Sequence, residues 1–464
     1  MIKTKEENLD KMIYVIGHKN PDTDSVVSAI AYAELKKKLG FKAVAARAGE
    51  MNEQTKFVLN YFKQEEPLLV KDLYLRAEDI MTKKVIFINE SDSVEKAIKE
   101  MEKSKIRYLP LIKNNKEIIG IVSFEKLADY FLIETIKKKN TLKILKKKAS
   151  EFCDKEFNLC YEEDTEKELN EKLLKSKFGS ILVVDKKKHL RGIITKTDLL
   201  KAENKKVILV DHNEFSQAVE GIENAEILDV VDHHRLAAFT TLYPINFLLE
   251  PVGSTSTIVF EIYKKNNLNP DKKIAGLLLC GIISDTLNLT STTTTEKDKK
   301  AVSEISKICD IKPEFIWKKF EEISKKEIEK ILQEPAEKII ENDFKIYENK
   351  KKIGLGQLEI NEKDFHKIKD KEEELIKAME NLRKEKGFNF IGIVVTDNKK
   401  LNSLLLCSGE RDFLELLPWP KISENLYELK GIFSRKKQIA PVLLQIAEGK
   451  LEKVKKDEDY YKKK

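Results

Sequence analysis

"IYVIGHKNPDTDS", residues 13–25, decides how this chain is read. The five residues Ile13 to Gly17 are mostly apolar and strand-like; His18, Asp22 and Asp24 then follow within seven positions, with Pro21 stiffening the bend. A strand that ends in a polar loop ahead of a helical pattern opens a βαβ unit. Three titrating groups this close repel or compete unless a positive charge lies among them. Without one, the loop reduces to a turn in which Asp24 or Ser25 caps the next helix.

Downstream, "VVSAIAYAELKKKLG" has helical spacing and ends at Gly40, and "KAVAARAG" is a short apolar strand. Together they predict a parallel sheet. From 76 to 201 the pattern changes and repeats itself. "AEDIMTKKVIFINESDSVEKAIKEMEKSKIRYLPLIKNNKEIIGIVSFEKL" and "ASEFCDKEFNLCYEEDTEKELNEKLLKSKFGSILVVDKKKHLRGIITKTDLL" share a lead-in, a strand, an acidic helix, two further strands and a helix. A duplicated unit of roughly 55 residues is stronger than any single motif. At Lys205 the first style resumes with "KKVILVDHNE", "AEILDVVDHHR" and "DKKIAGLLLCGIISDT", the last an apolar helix, or helix plus strand, ending in Asp285. Residues 76–201 therefore read as an insertion at a surface loop. The expected fold class is α/β: a parallel-sheet domain over 1–75 and 202–305, interrupted by repeats at 76–135 and 145–201. A smaller mixed α/β domain follows over 312–450, with strands at "DFKIYENKKKIGLGQLEI" and "NFIGIVVTD", and then a charged tail at 451–464.

Composition bounds the function. Of 464 residues, 41% are hydrophobic and 36% charged, enough to bury real cores. The net charge of +7 comes from 86 basic and 79 acidic residues well mixed along the chain, a solvated surface and not a nucleic-acid footprint. The start, "MIKTKEENLDK", lacks the apolar stretch of a secretory signal, and no stretch approaches a membrane span. Five scattered cysteines form no CxxC pair, which fits reduced core thiols and a cytoplasmic protein.

The chain has six histidines, at 18, 189, 212, 233, 234 and 366. His189 and His366 read as surface residues. The other four follow apolar strands and sit beside aspartates: His18 with Asp22 and Asp24, His212 with Asp211, and His233 and His234 with Asp232. In an open α/β sheet, ligands collect beyond the carboxyl ends of the strands. Separate strand ends then deliver these groups, with Asp285 of "SDT", to one place, and divalent cations between them relieve the repulsion. Imidazole plus carboxylate suits Mn²⁺, Co²⁺ or Zn²⁺ better than Mg²⁺ alone. Two ions about 3.5–4 Å apart are a standard device for phosphoryl displacement. His212 reads as a supporting residue and Asp232 as the carboxylate that orients His233. "PVGSTSTIVF", 251–260, opens a helix whose amides could face the site, although packing accounts for it equally well.

In that order, "GHKNPDTDS", "VDHNE", "VDHH" and "SDT" resemble the DHH phosphoesterase superfamily, and "SRKKQ" near the end is similar to that of manganese-dependent family II inorganic pyrophosphatases. The repeats resemble a CBS-domain pair. The resemblance implies His18, Asp22 and Asp211 as ligands of one metal, and Asp24, His233 and Asp285 as ligands of a second, with Asp211 bridging. It implies His234 against the substrate phosphate, Arg435 and Lys436 on the electrophilic or leaving phosphate, and Lys345 of "DFKIY" as a further substrate lysine, with Tyr347 in place of the family's aromatic. Mn²⁺ or Co²⁺ would be the resident ion, two or more per subunit, with Mg²⁺ as an additional or activating ion. Pyrophosphate carries several charges and no apolar handle, so metals and cationic side chains suit it: Arg binds phosphate bidentately and Lys as a point charge.

The same resemblance implies that the repeats bind adenine nucleotides: AMP and ADP as inhibitors, and ATP or diadenosine polyphosphates as further regulators. The second copy reads "GIITKTD" and supplies Thr195 and Asp198 to a ribose; the first reads "GIVSFEK", with Lys126 replacing the acid. No DRTGG insert is evident. A homodimer is implied, without nucleic-acid or membrane partners. The rival readings are an exopolyphosphatase, a DHH nuclease or nano-RNA phosphatase, whose "GGGH"-type element is absent after residue 340, and a non-catalytic nucleotide sensor.

Overall fold

A computed structural model describes residues 12–113, 116–137, 142–238, 240–241, 243–348, 350–360, 365–397, 402–432 and 434–450. The first eleven residues and the charged tail 451–464 lie outside the described residues. The chain divides into two compact units between Trp317 and Lys318.

In the first unit, strand β1 (Ile13–Ile16) leads through the His18 loop into helix α1 (Thr23–Lys38), then β2 (Ala43–Arg47), α2 (Glu53–Tyr61) and the short β3 (Leu68–Leu69). Asp22, not Asp24 or Ser25, is the N-cap of α1: its carboxylate accepts from the Ser25 amide at 2.9 Å. Asp24 lies inside the first turn and is fully buried, so its charge is directed into the protein.

The first repeat follows as β4 (Ile88–Asn89), α3 (Val94–Ser104), β5 (Tyr108–Ile112), β6 (Ile118–Ser123) and α4 (Phe124–Ile136). The second is β7 (Leu159–Tyr161), α5 (Glu166–Leu174), β8 (Ser180–Val184), β9 (Leu190–Thr195) and α6 (Lys196–Lys201). Each makes its own three-stranded sheet, β4-β5-β6 and β7-β8-β9, with matching parallel and antiparallel pairings. Their lead-ins cross over: Thr82 bridges to Ile193 of the second sheet and Asp154 to Ile121 of the first. Where the chain leaves for the repeats and returns from them, Lys205 Nζ lies 3.4 Å from Asp79 Oδ2.

After the repeats come β10 (Lys206–Val210), β11 (Glu226–Asp232), β12 (Asn246–Leu249), α7 (Thr255–Lys265), α8 (Lys272–Asp285) and α9 (Glu296–Cys309). The sheet order is β12-β11-β10-β1-β2-β3, and every pairing is parallel. Ile13–Ile16 therefore pairs directly with Lys206–Leu209 across the whole insertion. The run of apolar residues in β1 and β10 suits strands covered on both faces; Val15, Ile16, Val207, Ile208, Leu209 and Val210 are all buried. From β1 the chain winds outward one way through β2 and β3, and from β10 the other way through β11 and β12. The point of reversal, where such sheets hold ligands, lies between β1 and β10.

Helix α10 (Pro313–Gln333) spans the boundary between the units. The second unit has one mixed sheet in the order β13 (Lys345–Glu348), β14 (Lys352–Glu359), β15 (Phe390–Asp397), β16 (Asn402–Gly409) and β17 (Leu426–Lys430). Helix α11 (Glu372–Lys386) packs on one face, and α12 (Ala440–Ala447) on the other, giving two apolar cores. The fold class matches the α/β expectation: a parallel six-stranded sheet interrupted by two three-stranded repeats, then a mixed α/β unit.

Candidate metal centre

The loop after β1, the residues ending β10 and β11, and the end of α8 meet at one carboxylate, Asp211. Its Oδ2 lies 3.4 Å from His18 Nε2, and its Oδ1 lies 3.4 Å from His233 Nε2. His18 Nε2 is also 3.4 Å from Asp22, and His233 Nε2 is 3.5 Å from Asp285. Three sets of donor atoms are each gathered within 4.8 Å: His18, Asp22 and Asp211; Asp24, Asp211, His233 and Asp285; and Asp211, His233 and His234. Asp211 belongs to all three. It is fully buried and takes a left-handed backbone, φ 62°, directly after β10. Aspartate tolerates this conformation better than most residues, and it turns the carboxylate back over the strand ends.

His18, Asp211 and His233 reach the cluster from strand ends. Asp285 instead arrives on the C-terminal residue of α8. A carboxylate there opposes the helix dipole. Burial, with Asp24, Asp22 and Asp211 close by, pushes its pKa well above the usual range. Asp24 is pushed up to about 6, by burial first and then by Asp211. Burial acts against the charge on Asp211 too, but the imidazoles of His18 and His233, each 3.4 Å away, hold it below the ordinary value. Burial disfavours imidazolium at His18 and His233, yet their carboxylate partners raise them to about 10 and about 9.

A divalent ion fits these donors. Asp211 Oδ2 and His233 Nε2 are both buried without a hydrogen-bond partner. The opposite ring nitrogen, His233 Nδ1, is 3.0 Å from the Val252 carbonyl, which directs Nε2 into the cluster. This corrects the expected role of Asp232. Asp232 accepts the backbone amide of His233, but its ring contact is with His234, whose Nδ1 lies 2.9 Å from Oδ1. The reason is geometric: the His233 ring turns toward Val252, leaving His234 over the carboxylate. His234 keeps 49% of its side chain exposed. His212 is buried with Nδ1 on the Val210 carbonyl, and burial lowers it to about 4, so it is a neutral packing residue beside His18.

The turn before α7 supplies residues not singled out individually from sequence. Asp24 sits on this helix N-terminus: Oδ2 accepts from the Thr255 amide at 2.7 Å, and Oδ1 from Ser254 Oγ at 2.8 Å, the Ser256 amide at 3.0 Å and Ser256 Oγ. Thr255 Oγ1 donates to Asp211 Oδ1 at 2.9 Å. Bonds to a charged acceptor contribute roughly 1.5–3 kcal/mol each. The signal was present in the hydroxyl-rich "GSTST" of residues 253–257.

Lys345, Arg435 and Lys436 lie in the second unit. Lys345 opens β13, exposed and in register with Leu355, and Lys436 is exposed in a π-helical turn over Arg435–Ile439. Arg435 is only 4% exposed. Its guanidinium pairs with the Asp343 carboxylate at 2.7 Å and donates to the carbonyls of Asp343 and Leu355. Arg435 and the backbone of Lys345 thus both neighbour Leu355.

In the repeats, Asp198 Oδ2 accepts from the Thr195 amide at 2.8 Å and Oγ1 at 2.6 Å, closing a capping box at α6. Its Oδ1 lies 3.5 Å from Thr82 Oγ1 of the other lead-in. His189, half-buried, closes a turn with Asp185, and His366 is exposed. Among the described residues, no helix is long and apolar enough to cross a membrane, and the five cysteines are free thiols, four of them buried.

The DHH family, N-terminal domain, matches residues 12–282, and the DHHA2 domain matches residues 321–446. A Thermotoga maritima protein named "Probable manganese-dependent inorganic pyrophosphatase" is 31% identical, over 94% of this chain and 98% of its own length. The "Cobalt-dependent inorganic pyrophosphatase" of Clostridium perfringens is 25% identical, over 95% and 100%. A solved Methanococcus jannaschii structure, described as a candidate family II inorganic pyrophosphatase, superposes with a TM-score of 0.50 at 26% identity, covering 95% of this chain and all of that one.

Proposed function

Because the chain belongs to the DHH family, among the metal-dependent inorganic pyrophosphatases, we propose that it hydrolyses pyrophosphate to two phosphates at a pair of divalent ions, Mn²⁺ or Co²⁺, that share Asp211. The observation that carries this is the membership of Asp211 in two separate donor groups. His18 and Asp22 complete one site; Asp24, His233 and Asp285 complete the other. When bound, the ions supply Lewis acidity and make water a nucleophile near neutral pH.

The chain's own residues do the rest. Asp211, buried and ionised, offers one oxygen to each site. Val252 fixes the tautomer and direction of His233. Asp232 holds His234 as a proton-bearing donor toward the phosphate, and raises its pKa through their hydrogen bond. Lys345, Lys436 and Arg435 receive the remaining substrate charge, with Arg435 held in shape by Asp343. Such donors stabilise charge spread over phosphoryl oxygens.

In the same reading, the repeats are a CBS pair that takes an adenine nucleotide at Thr195 and Asp198, where an acid suits ribose hydroxyls, and regulates turnover. The protein works in the cytoplasm as a homodimer. The test is phosphate release after chelation, with Mn²⁺, Co²⁺ or Mg²⁺ restored, on pyrophosphate, polyphosphate and a short oligonucleotide. Restoration by Mn²⁺ or Co²⁺ with pyrophosphate preferred is the expected result. No restoration by any ion overturns the proposal, and preference for polyphosphate or the oligonucleotide favours the rival enzymes. AMP and ADP at millimolar levels test regulation separately.

A further inference from the structure

Asp298 lies outside the cluster around Asp211, yet it is fully buried, and its bonds beyond its own helix lead toward that cluster. It sits in the first turn of α9 and closes a capping box with Thr295. Its other bonds leave the helix. Oδ2 accepts from the Gly253 amide at 2.9 Å, and Oδ1 accepts from Thr257 Oγ1 at 2.6 Å. One carboxylate therefore grips both ends of residues 253–257. Between those two anchor points lie Ser254, Thr255 and Ser256, which supply four donors to Asp24 and the hydroxyl on Asp211. Val252, just before the gripped segment, holds the His233 ring. Contact is tight: a Cβ on Gly253 would meet Asp298 Oδ2 at 3.0 Å and Thr286 Cγ2 at 2.6 Å.

We propose that Asp298 is a positioning residue for the metal centre, acting through the 253–257 segment, and that Thr255 is the contact by which that segment sets the orientation of Asp211. Two carboxylates that repel each other are kept side by side because four hydrogen-bond donors on one rigid turn hold one of them and a fifth holds the other. Without the anchor, the turn relaxes and the two donor groups lose their shared oxygen pair. Outer residues that orient ligands typically change metal affinity about 10–100-fold when replaced.

The inference rests on the metal reading above, and the experiment separates the two. Mn²⁺ binding is measured by calorimetric titration without pyrophosphate, alongside thermal unfolding of the metal-free protein, for wild type, Asp298→Asn, Thr255→Val, Thr255→Ser and Thr295→Ala. An asparagine at 298 keeps one acceptor oxygen, so it can no longer accept from both Gly253 and Thr257. The expected result is about 10–100-fold weaker binding for Asp298→Asn and Thr255→Val. Thr255→Ser keeps the hydroxyl and restores affinity to within about threefold of wild type. Thr295→Ala disturbs the same helix cap but leaves the 253–257 bonds, so it lowers the melting temperature while keeping affinity. Equal Mn²⁺ affinity in wild type, Asp298→Asn and Thr255→Val overturns the inference, as does a Thr295→Ala loss equal to that of Asp298→Asn, which would tie affinity to helix stability alone. A wild type that binds no Mn²⁺ removes the metal reading itself.

Discussion

Lys126 Nζ donates to Asp154 Oδ1 at 2.8 Å, at the position in the first repeat that Asp198 holds in the second. The two repeats fold alike and exchange lead-ins alike, so Asp154 faces Lys126 as Thr82 faces Asp198. In the first repeat the cation is satisfied by a carboxylate and by the Cys153 carbonyl. In the second the acid lies opposite a hydroxyl.

That asymmetry predicts one adenine nucleotide per chain. Titration with AMP should give a stoichiometry near one. Asp198→Ala should weaken binding by about 10–100-fold, the worth of a hydrogen bond to a charged group. Lys126→Ala should leave it within about threefold. Two equivalent sites, or a loss confined to Lys126→Ala, would contradict the assignment.

Asp211→Asn isolates the shared ligand. Asparagine accepts the left-handed backbone at φ 62°, so folding is retained while one charge is removed from both donor groups. Phosphate release from pyrophosphate should fall by more than about 100-fold, a larger loss than for outer residues. Activity that survives in a folded variant would deny Asp211 its central place.

The raised histidines set a pH dependence. His18 and His233 titrate near 10 and 9 in the folded metal-free protein against 6.5 when unfolded. The folded state therefore holds more protons, and its stability from these groups is complete below pH 6.5 and lost as pH rises toward 9 to 10. Thermal unfolding of chelated protein should show a melting temperature that falls over that window. Mn²⁺ needs neutral imidazole, so binding at pH 7 should release protons, measured by calorimetry in buffers of different ionisation enthalpy. A melting temperature that climbs over the window, or binding without proton release, would refute this.

Gly281 reverses a familiar sign. Replacing glycine by alanine inside a helix usually stabilises by about 0.5–1 kcal/mol. In α8, however, a Cβ at 281 would lie 2.3 Å from Ser256 Oγ, 2.7 Å from Asp24 Oδ1 and 2.8 Å from Val27 Cγ2. Overpacking of this kind costs roughly 1–3 kcal/mol. Gly281→Ala should lower the melting temperature and weaken Mn²⁺ binding together; a more stable variant would show that the gap is not needed.

Much of this was legible in the chain because most residues of the cluster follow a strong local signal. The polar loops at His18, Asp211 and His233 interrupt apolar strands, and the parallel register of β1 with β10 brings the first two together. The style change at 76–201 marked the insertion because two folded repeats carry two copies of one pattern. Contacts set by ring direction were less accessible. Whether Asp232 serves His233 or its neighbour depends on a side-chain rotation, and sequence spacing is the same either way. Asp298 was missed for a related reason: its N-terminal position in α9 reads as an ordinary cap, and only the folded chain brings Gly253 and Thr257 to it, more than forty residues away.

The ion pair between Lys205 and Asp79 draws together the outgoing and returning limbs of the chain at the repeats. Residues 79 and 205 are thus neighbours, and β1 and β10 are neighbours in their own right. An excision there leaves two ends already side by side, so the pair of repeats is removable, or exchangeable for another, with β1 and β10 still zipped together.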